Sequence, residues 1–142
     1  MGLINKQLKS QIFINLPVKD LEKSFNLYAK MGFSNNTQFS DETAKCMVFS
    51  DEIFVMLHTH ERFKTFIKKP IADVTKSTAL LLSISVESID KVNEICDNAI
   101  SAGGIEPIEA KDYGFMQQRN IEDFDGHIWE IFYMDISKFP QS

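Results

Sequence analysis

Gln11-Ile-Phe-Ile-Asn-Leu-Pro-Val18-Lys-Asp-Leu21 is the stretch from which the rest of this chain can be read. Residues 11–18 predict a strand, with Ile12, Ile14 and Leu16 on one face, Phe13 and Asn15 on the other, and Pro17 marking its end. Asp20 has the short acceptor side chain that caps a helix. Leu21, Phe25 and Tyr28 then recur as one apolar stripe, and Gly32 stands where helices commonly stop. Three further strands are expected over 33–39, 44–49 and 53–58, parted by the polar turns Ser40-Asp-Glu42 and Ser50-Asp-Glu52.

The order of strand, helix and three strands then repeats. Residues 78–86 form the next expected strand, and Ser88 can cap a helix that carries Val92, Ile95, Cys96 and Ala99 on one side and ends at Gly103-Gly104. A weaker strand follows over 105–110, and strands over 115–121 and 127–133 flank a turn at residues 123–126. Val18-Lys-Asp-Leu21 and Val86-Glu-Ser-Ile89 occupy equivalent places, each closing a first strand and opening a helix. Such a duplication is a statement about the whole fold. It divides a single domain, 1–142, into a first βαβββ module (11–58), a connector (59–77) and a second βαβββ module (78–135), an α+β arrangement.

The connector holds His60, Arg62, Lys64, Lys68, Lys69 and Lys76. Phe63, Phe66 and Ile67 have helical spacing, which predicts a short amphipathic helix ending before Pro70. Its lysines are either a solvated linker or part of a lid or dimer arm that brings positive charge near an anionic ligand.

Composition narrows the function classes. With 44% hydrophobic and 25% charged residues over 142 positions, the chain has the balance of a soluble globular domain. A net charge of −5 with scattered basic residues lacks the positive footprint of a nucleic-acid binder. Twelve Phe and six Met suit a core, an apolar cavity or a subunit contact equally. Cys46 and Cys96 form no CxxC pair and sit in apolar contexts, the setting of buried reduced thiols and a cytoplasmic location. No segment reaches the roughly 18 apolar residues of a membrane span, and residues 1–10 lack the apolar core of a signal peptide.

Asp123-Phe-Asp-Gly-His-Ile-Trp-Glu130-Ile-Phe-Tyr133 carries the most chemical information. The turn-forming Asp-x-Asp-Gly launches an apolar strand with a carboxylate in its middle. Alternation puts Ile128, Glu130 and Phe132 on one face and Trp129, Ile131 and Tyr133 on the other. A carboxylate looking into an enclosed space must be paired, hydrated or metal-bound, whereas at a sheet edge it simply meets solvent.

The duplicated order, Val18-Lys-Asp-Leu-Glu-Lys-Ser-Phe-Asn-Leu-Tyr28 followed by Met31-Gly-Phe33, and Asp123-Phe-Asp-Gly-His-Ile-Trp-Glu130 together resemble the vicinal oxygen chelate superfamily over nearly the whole chain. That group includes glyoxalase I, extradiol dioxygenases, and the fosfomycin and bleomycin resistance proteins. Ser50-Asp-Glu-Ile-Phe-Val-Met-Leu57 and Asp112-Tyr-Gly-Phe-Met116, with residues 12–21, are similar to bacterial predicted lactoylglutathione lyases. The resemblance implies curved four-stranded sheets around a cavity lined by the first and last strands of both modules. It also implies four metal ligands, typically two His and two Glu, one on each of those strands. Carried across strand by strand, these positions are Phe13, Met56, Leu81 and Glu130, so only Glu130 matches. Phe and Leu cannot ligate a divalent cation, and a thioether is a poor ligand for hard metals.

The resulting expectation is a pocket with no metal in the usual pattern and no other cofactor. Phe13, Met56, Leu81 and Phe132 are its apolar walls, and Asn15, His58, Ser83 and Glu130, with Ser85, its polar groups. The function implied is binding of a small, partly apolar molecule by a homodimer, with no nucleic acid or membrane partner. The alternative is a lyase or isomerase of the glyoxalase kind with Glu130 as general base and a displaced divalent metal at His58, His60 and Glu130, the ligand count of a catalytic zinc site. A third possibility is a subunit whose cavity has collapsed into core.

Overall fold

In the computed structural model, residues 9–140 are described. The first module runs β1 (Ile12–Val18), α1 (Leu21–Lys30), β2 (Ser34–Asn36), β3 (Ala44–Val48) and β4 (Ile53–Thr59). A short helix, α2 (His60–Lys64), opens the connector. The second module runs β5 (Leu82–Ser85), α3 (Ile89–Ser101), β6 (Lys111–Asp112), β7 (Met116–Glu122) and β8 (Ile128–Met134). Each module makes a four-stranded mixed sheet, in the orders β1-β4-β3-β2 and β5-β8-β7-β6. In each sheet the first strand pairs in parallel with the last, Asn15 beside Met56 and Ser83 beside Glu130. The duplication read from the sequence is therefore the architecture. No helix is long and apolar enough to cross a membrane among the described residues.

Both long helices begin as the sequence predicts. Asp20 accepts a hydrogen bond from the Lys23 amide and Ser88 from the Lys91 amide, satisfying donors that a helix leaves free in its first turn. The second helix buries Val92, Ile95, Cys96 and Ala99 as expected. The first buries Leu21, Ser24, Leu27 and Tyr28, so the stripe is shifted and Phe25 lies at its edge. Cys46 and Cys96 are buried free thiols, and burial pushes the Cys96 thiol up to about 12, which leaves it protonated and inert.

Three expected strands are shorter than their apolar runs. Residues 37–39 turn into a single 3₁₀ turn because the Asn36 side chain accepts from the Gln38 amide and caps it. Residues 105–110 contribute only an isolated bridge from Ile105 to Glu122. Pro107 has no amide hydrogen to extend a ladder, and β6 forms after it. The strand expected from residue 78 begins at Leu82, so Leu81 precedes β5 rather than lying within it. The expected connector helix ends at Lys64, with Phe66 and Ile67 in the turn that follows.

One core serves both modules. Val18, Met47, Val55 and Leu57 from the first sheet and Ile84, Ile121, Trp129 and Ile131 from the second join α1 and α3 in a single cluster. At its centre Tyr28 and Trp129 meet edge to face at 5.9 Å, and Phe33 packs against both rings. Each such aromatic ring contributes a large buried apolar area beyond its pair geometry. The Trp129 indole donates to the Tyr28 hydroxyl at 2.9 Å, and that hydroxyl donates to Asp123 at 2.7 Å. The other Asp123 oxygen accepts from the Asp125 and His127 amides, which closes the 123–126 turn. Asp125 then reaches back across the modules to accept from the Lys19 amide at 2.9 Å.

Tyr28→Phe leaves the Trp129 indole and one oxygen of a buried carboxylate without partners. The expected cost is about 1–3 kcal/mol of unfolding free energy at unchanged denaturant slope. A urea titration giving a loss within about 0.5 kcal/mol, the range of a neutral surface change, would show that the modules are not held this way.

Candidate functional site

The residues expected to line a pocket do share faces, but the two faces look outward. Each sheet turns its helix-covered side to the common core. Phe13, Asn15, Phe54, Met56 and His58 therefore occupy the far side of the first sheet, and Ser83, Ser85, Glu130 and Phe132 the far side of the second. Phe13 is 50% exposed and Leu81 48%. Five cavities among the described residues are lined elsewhere, and none of these includes Phe13, Asn15, Met56, His58, Leu81, Ser83, Glu130 or Phe132. Within one chain the sheets are open and do not meet around a shared space.

On the second sheet, Glu130 is half-buried and both its oxygens are engaged. The Ser83 hydroxyl donates to one at 2.5 Å and the Gln118 amide to the other at 3.1 Å. Gln118 also donates to the buried Asn120 at 3.2 Å. Two neutral donors hold the carboxylate, and no cation pairs with it among the described residues. Sequence alternation places Glu130 on its face but does not identify Gln118. The available signal was the tight turn at 123–126, whose register sets Asn120 opposite Glu130 and Gln118 opposite Phe132.

On the first sheet, Phe13 stacks on Phe54 with ring centroids 4.5 Å apart, an open aromatic surface beside half-buried Met56. His58 is almost wholly enclosed, 2% exposed. Its Nε2 lies 2.7 Å from the Asn15 side-chain oxygen, and Phe63 and Phe66 of the connector cover its ring at 6.1 and 5.3 Å. With Asn15 accepting, Nε2 carries the proton and Nδ1 is left as a buried acceptor with no partner among the described residues. Burial, assisted by the nearby Arg62 charge, holds the His58 imidazole below the ordinary histidine range.

The displaced metal grouping is not assembled in the chain. His58 faces out from the first sheet, His60 has turned into α2 beside Pro17 and Lys19, and Glu130 belongs to the second sheet. Among the described residues no three His, Cys, Asp or Glu side chains converge as ligands. The positions where the resemblance implies ligands hold Phe13, Met56 and Leu81 beside Glu130, a donor set that does not fit a catalytic metal. His127 is likewise occupied, with Nε2 3.0 Å from the Pro17 carbonyl.

Neither a family model nor a curated protein sequence matches the chain. Solved structures do match in shape. A glyoxalase-related enzyme from Fulvimarina pelagi aligns with a TM-score of 0.74 at 20% identity, covering 89% of this chain and 88% of the other. This is the glyoxalase/bleomycin resistance fold. A hypothetical protein from S. aureus shares it with a TM-score of 0.73 at 22% identity over 94% of this chain and 99% of its own. The fosfomycin resistance protein FosX from Mesorhizobium loti shares it with a TM-score of 0.67 at 10% identity, covering 93% and 98%. At these identities the likeness is one of fold, and sites must be argued from this chain's own residues.

His58 gives the face a pH signature. An unfolded chain protonates histidine near pH 6.5, whereas the folded protein resists until lower pH, so the unfolded state binds more protons in between. The stabilisation is fully present above about pH 6.5 and is lost as pH falls toward the folded-state value. His58→Phe, which does not titrate, should flatten the fall in melting temperature with acidification below about pH 6.5, and an unchanged slope would assign it to other groups.

Proposed function

We propose that the protein binds a small, partly apolar molecule against Glu130, in a pocket that two copies of the chain complete together. The observation that carries this reading is the Glu130 arrangement itself. A half-buried carboxylate is fixed by Ser83 and Gln118 on a face that also presents Phe132 and lies close in sequence to exposed Leu81. Its environment suits a polar anchor that orients a ligand by accepting or relaying hydrogen bonds, set among apolar walls.

The outward faces support the homodimer. Phe13 and Phe54 stack in the open on one sheet, while the other carries the polar cluster, so one half of the expected wall set stands on each side of the chain. An exposed aromatic surface of this kind is commonly covered by a partner. In a two-fold dimer the first sheet of each protomer would face the second sheet of the other. Phe13, Asn15 and Met56 would then meet Ser83, Glu130 and Phe132 across the interface, giving two equivalent pockets. The fold shared with glyoxalase-related and fosfomycin resistance proteins is consistent with such a pocket. Binding without a metal fits the donor set better than the lyase reading, in which Glu130 would have to act as base on its own.

Sedimentation and light scattering should give a dimer, and Phe13→Asp should shift it toward monomer by placing a charge in the apolar contact. A thermal-shift screen of small apolar acids, amides and heterocycles should yield a stabilising ligand whose effect Glu130→Ala reduces at least about tenfold in affinity. A monomer that retains ligand binding would remove the shared pocket. Stoichiometric divalent metal, or turnover of the methylglyoxal–glutathione adduct that Glu130→Gln abolishes, would establish the lyase reading instead.

A further inference from the structure

The connector does more than join the modules. Ile71, Val74 and Leu80 arch over Leu16 of β1, Leu82 of β5 and Ile128 of β8, enclosing an apolar chamber of about 230 Å³. An adjoining vestibule of about 370 Å³ shares Pro17, the 70–72 segment, Val74 and His127 with it. The vestibule mixes these apolar walls with charged groups, and Lys19, His60 and Lys64 stand around it with Asp73, Thr75 and Asp125.

The two lysines and two carboxylates there form no direct ion pair with one another. Asp73 is bound by the Thr75 amide and hydroxyl, and Asp125 by the Lys19 amide and Ser24 hydroxyl, so both carboxylates are turned to local donors. Neither Lys19 nor Lys64 forms an ion pair among the described residues. The cavity thus has an apolar end and an end where two ammonium groups and an imidazole stand without direct ion pairs among the described residues, beside two carboxylates held by neutral donors.

Its walls are fixed. At Gly126, φ is +98°, and a Cβ there would lie 2.7 Å from the Val74 carbonyl oxygen, so the absence of a side chain is what seats the roof on the 123–126 turn. The hydrogen bonds from His127 to the Pro17 carbonyl and from the Lys19 amide to Asp125 hold the floor. A chamber of about 150 Å³ lined by aliphatic side chains accommodates benzene. The larger one here has room for a ring with a short arm, which would deliver its head group to the lysines.

We infer that this cleft is a second ligand site, distinct from the Glu130 face, for a small aryl- or alkyl-carboxylate. The apolar body fills the chamber and the carboxylate meets Lys19, Lys64 and His60 in the vestibule.

Methyl and amide NMR titrations of the full chain with hydrocinnamate and with hydrocinnamyl alcohol, its neutral analogue, test the assignment. Hydrocinnamate should give saturable shifts at the Ile67, Ile71 and Ile128 methyls, with the alcohol at least about tenfold weaker. Combined Lys19→Gln and Lys64→Gln should lower the acid to the affinity of the alcohol. Ala79→Trp, which fills the chamber from an exposed wall position, should abolish binding of both while the spectrum stays folded. Glu130→Gln should leave both titrations unchanged. Equal binding of acid and alcohol, no saturable shift in the folded protein, or shifts that centre on Ser83 and Gln118 and vanish in Glu130→Gln would each overturn it.

Discussion

The structure depends on one buried carboxylate. Asp123 is 2% exposed, and burial pushes its carboxyl above the usual range, against the pull of the His127 charge and of three hydrogen bonds to its oxygens. Such a group is tolerated only because its acceptors are filled. Two of its donors are amides of its own turn, and the third is the Tyr28 hydroxyl from the other module. Burial and the Asp123 charge push the Tyr28 phenol up, so it remains a proton donor, and it in turn accepts from Trp129. Asp125, two residues on, ties the same turn to the start of α1. The Asp-x-Asp-Gly sequence is thus a clasp between modules as well as a hairpin turn.

That clasp decides where the chemistry can be. Joining the modules through α1, Trp129 and the 123–126 turn commits the helix-covered faces of both sheets to the common core. The opposite faces are then left on the outside, with Phe13 and Phe54 on one and Ser83, Gln118 and Glu130 on the other. The exposure of Phe13 and the openness of the sheets are consequences of the same contact that stabilises the chain.

The fold was legible because its signals are local. Asp20 and Ser88 cap their helices through their own side chains, and alternation assigns Phe13, Asn15, Met56 and His58 to one face without reference to any distant residue. The site was legible only by face. Glu130 was placed on the right side of its strand, but its partners come from neighbouring strands, and which residues stand opposite depends on register. Asn15 pairs with His58, so it is not available to Glu130. His58 and His60 looked like neighbours of equal parity until α2 began at His60 and carried that imidazole away. The core contacts that turn the two faces outward involve Tyr28 and Trp129, 101 residues apart, and no local pattern encodes such a meeting.

The connector links these features physically. Phe63 covers the His58 ring on the first sheet and also forms part of the wall of the apolar chamber under residues 70–80. The Nδ1 of His58 is buried without a hydrogen-bond partner among the described residues, beneath the cover given by Phe63 and Phe66. Phe63 belongs to a five-residue helix with no buried residue of its own and Phe66 to the turn after it, held by the Thr59 cap and a few turn hydrogen bonds. Elements with so little burial are the ones that open at low free-energy cost. A molecule occupying the chamber would add contacts to Phe63 and Ile67 and so help hold that cover in place. Phe63 thus stands between the chamber and the His58 ring, so packing gained on one side of it bears on the cover of the other.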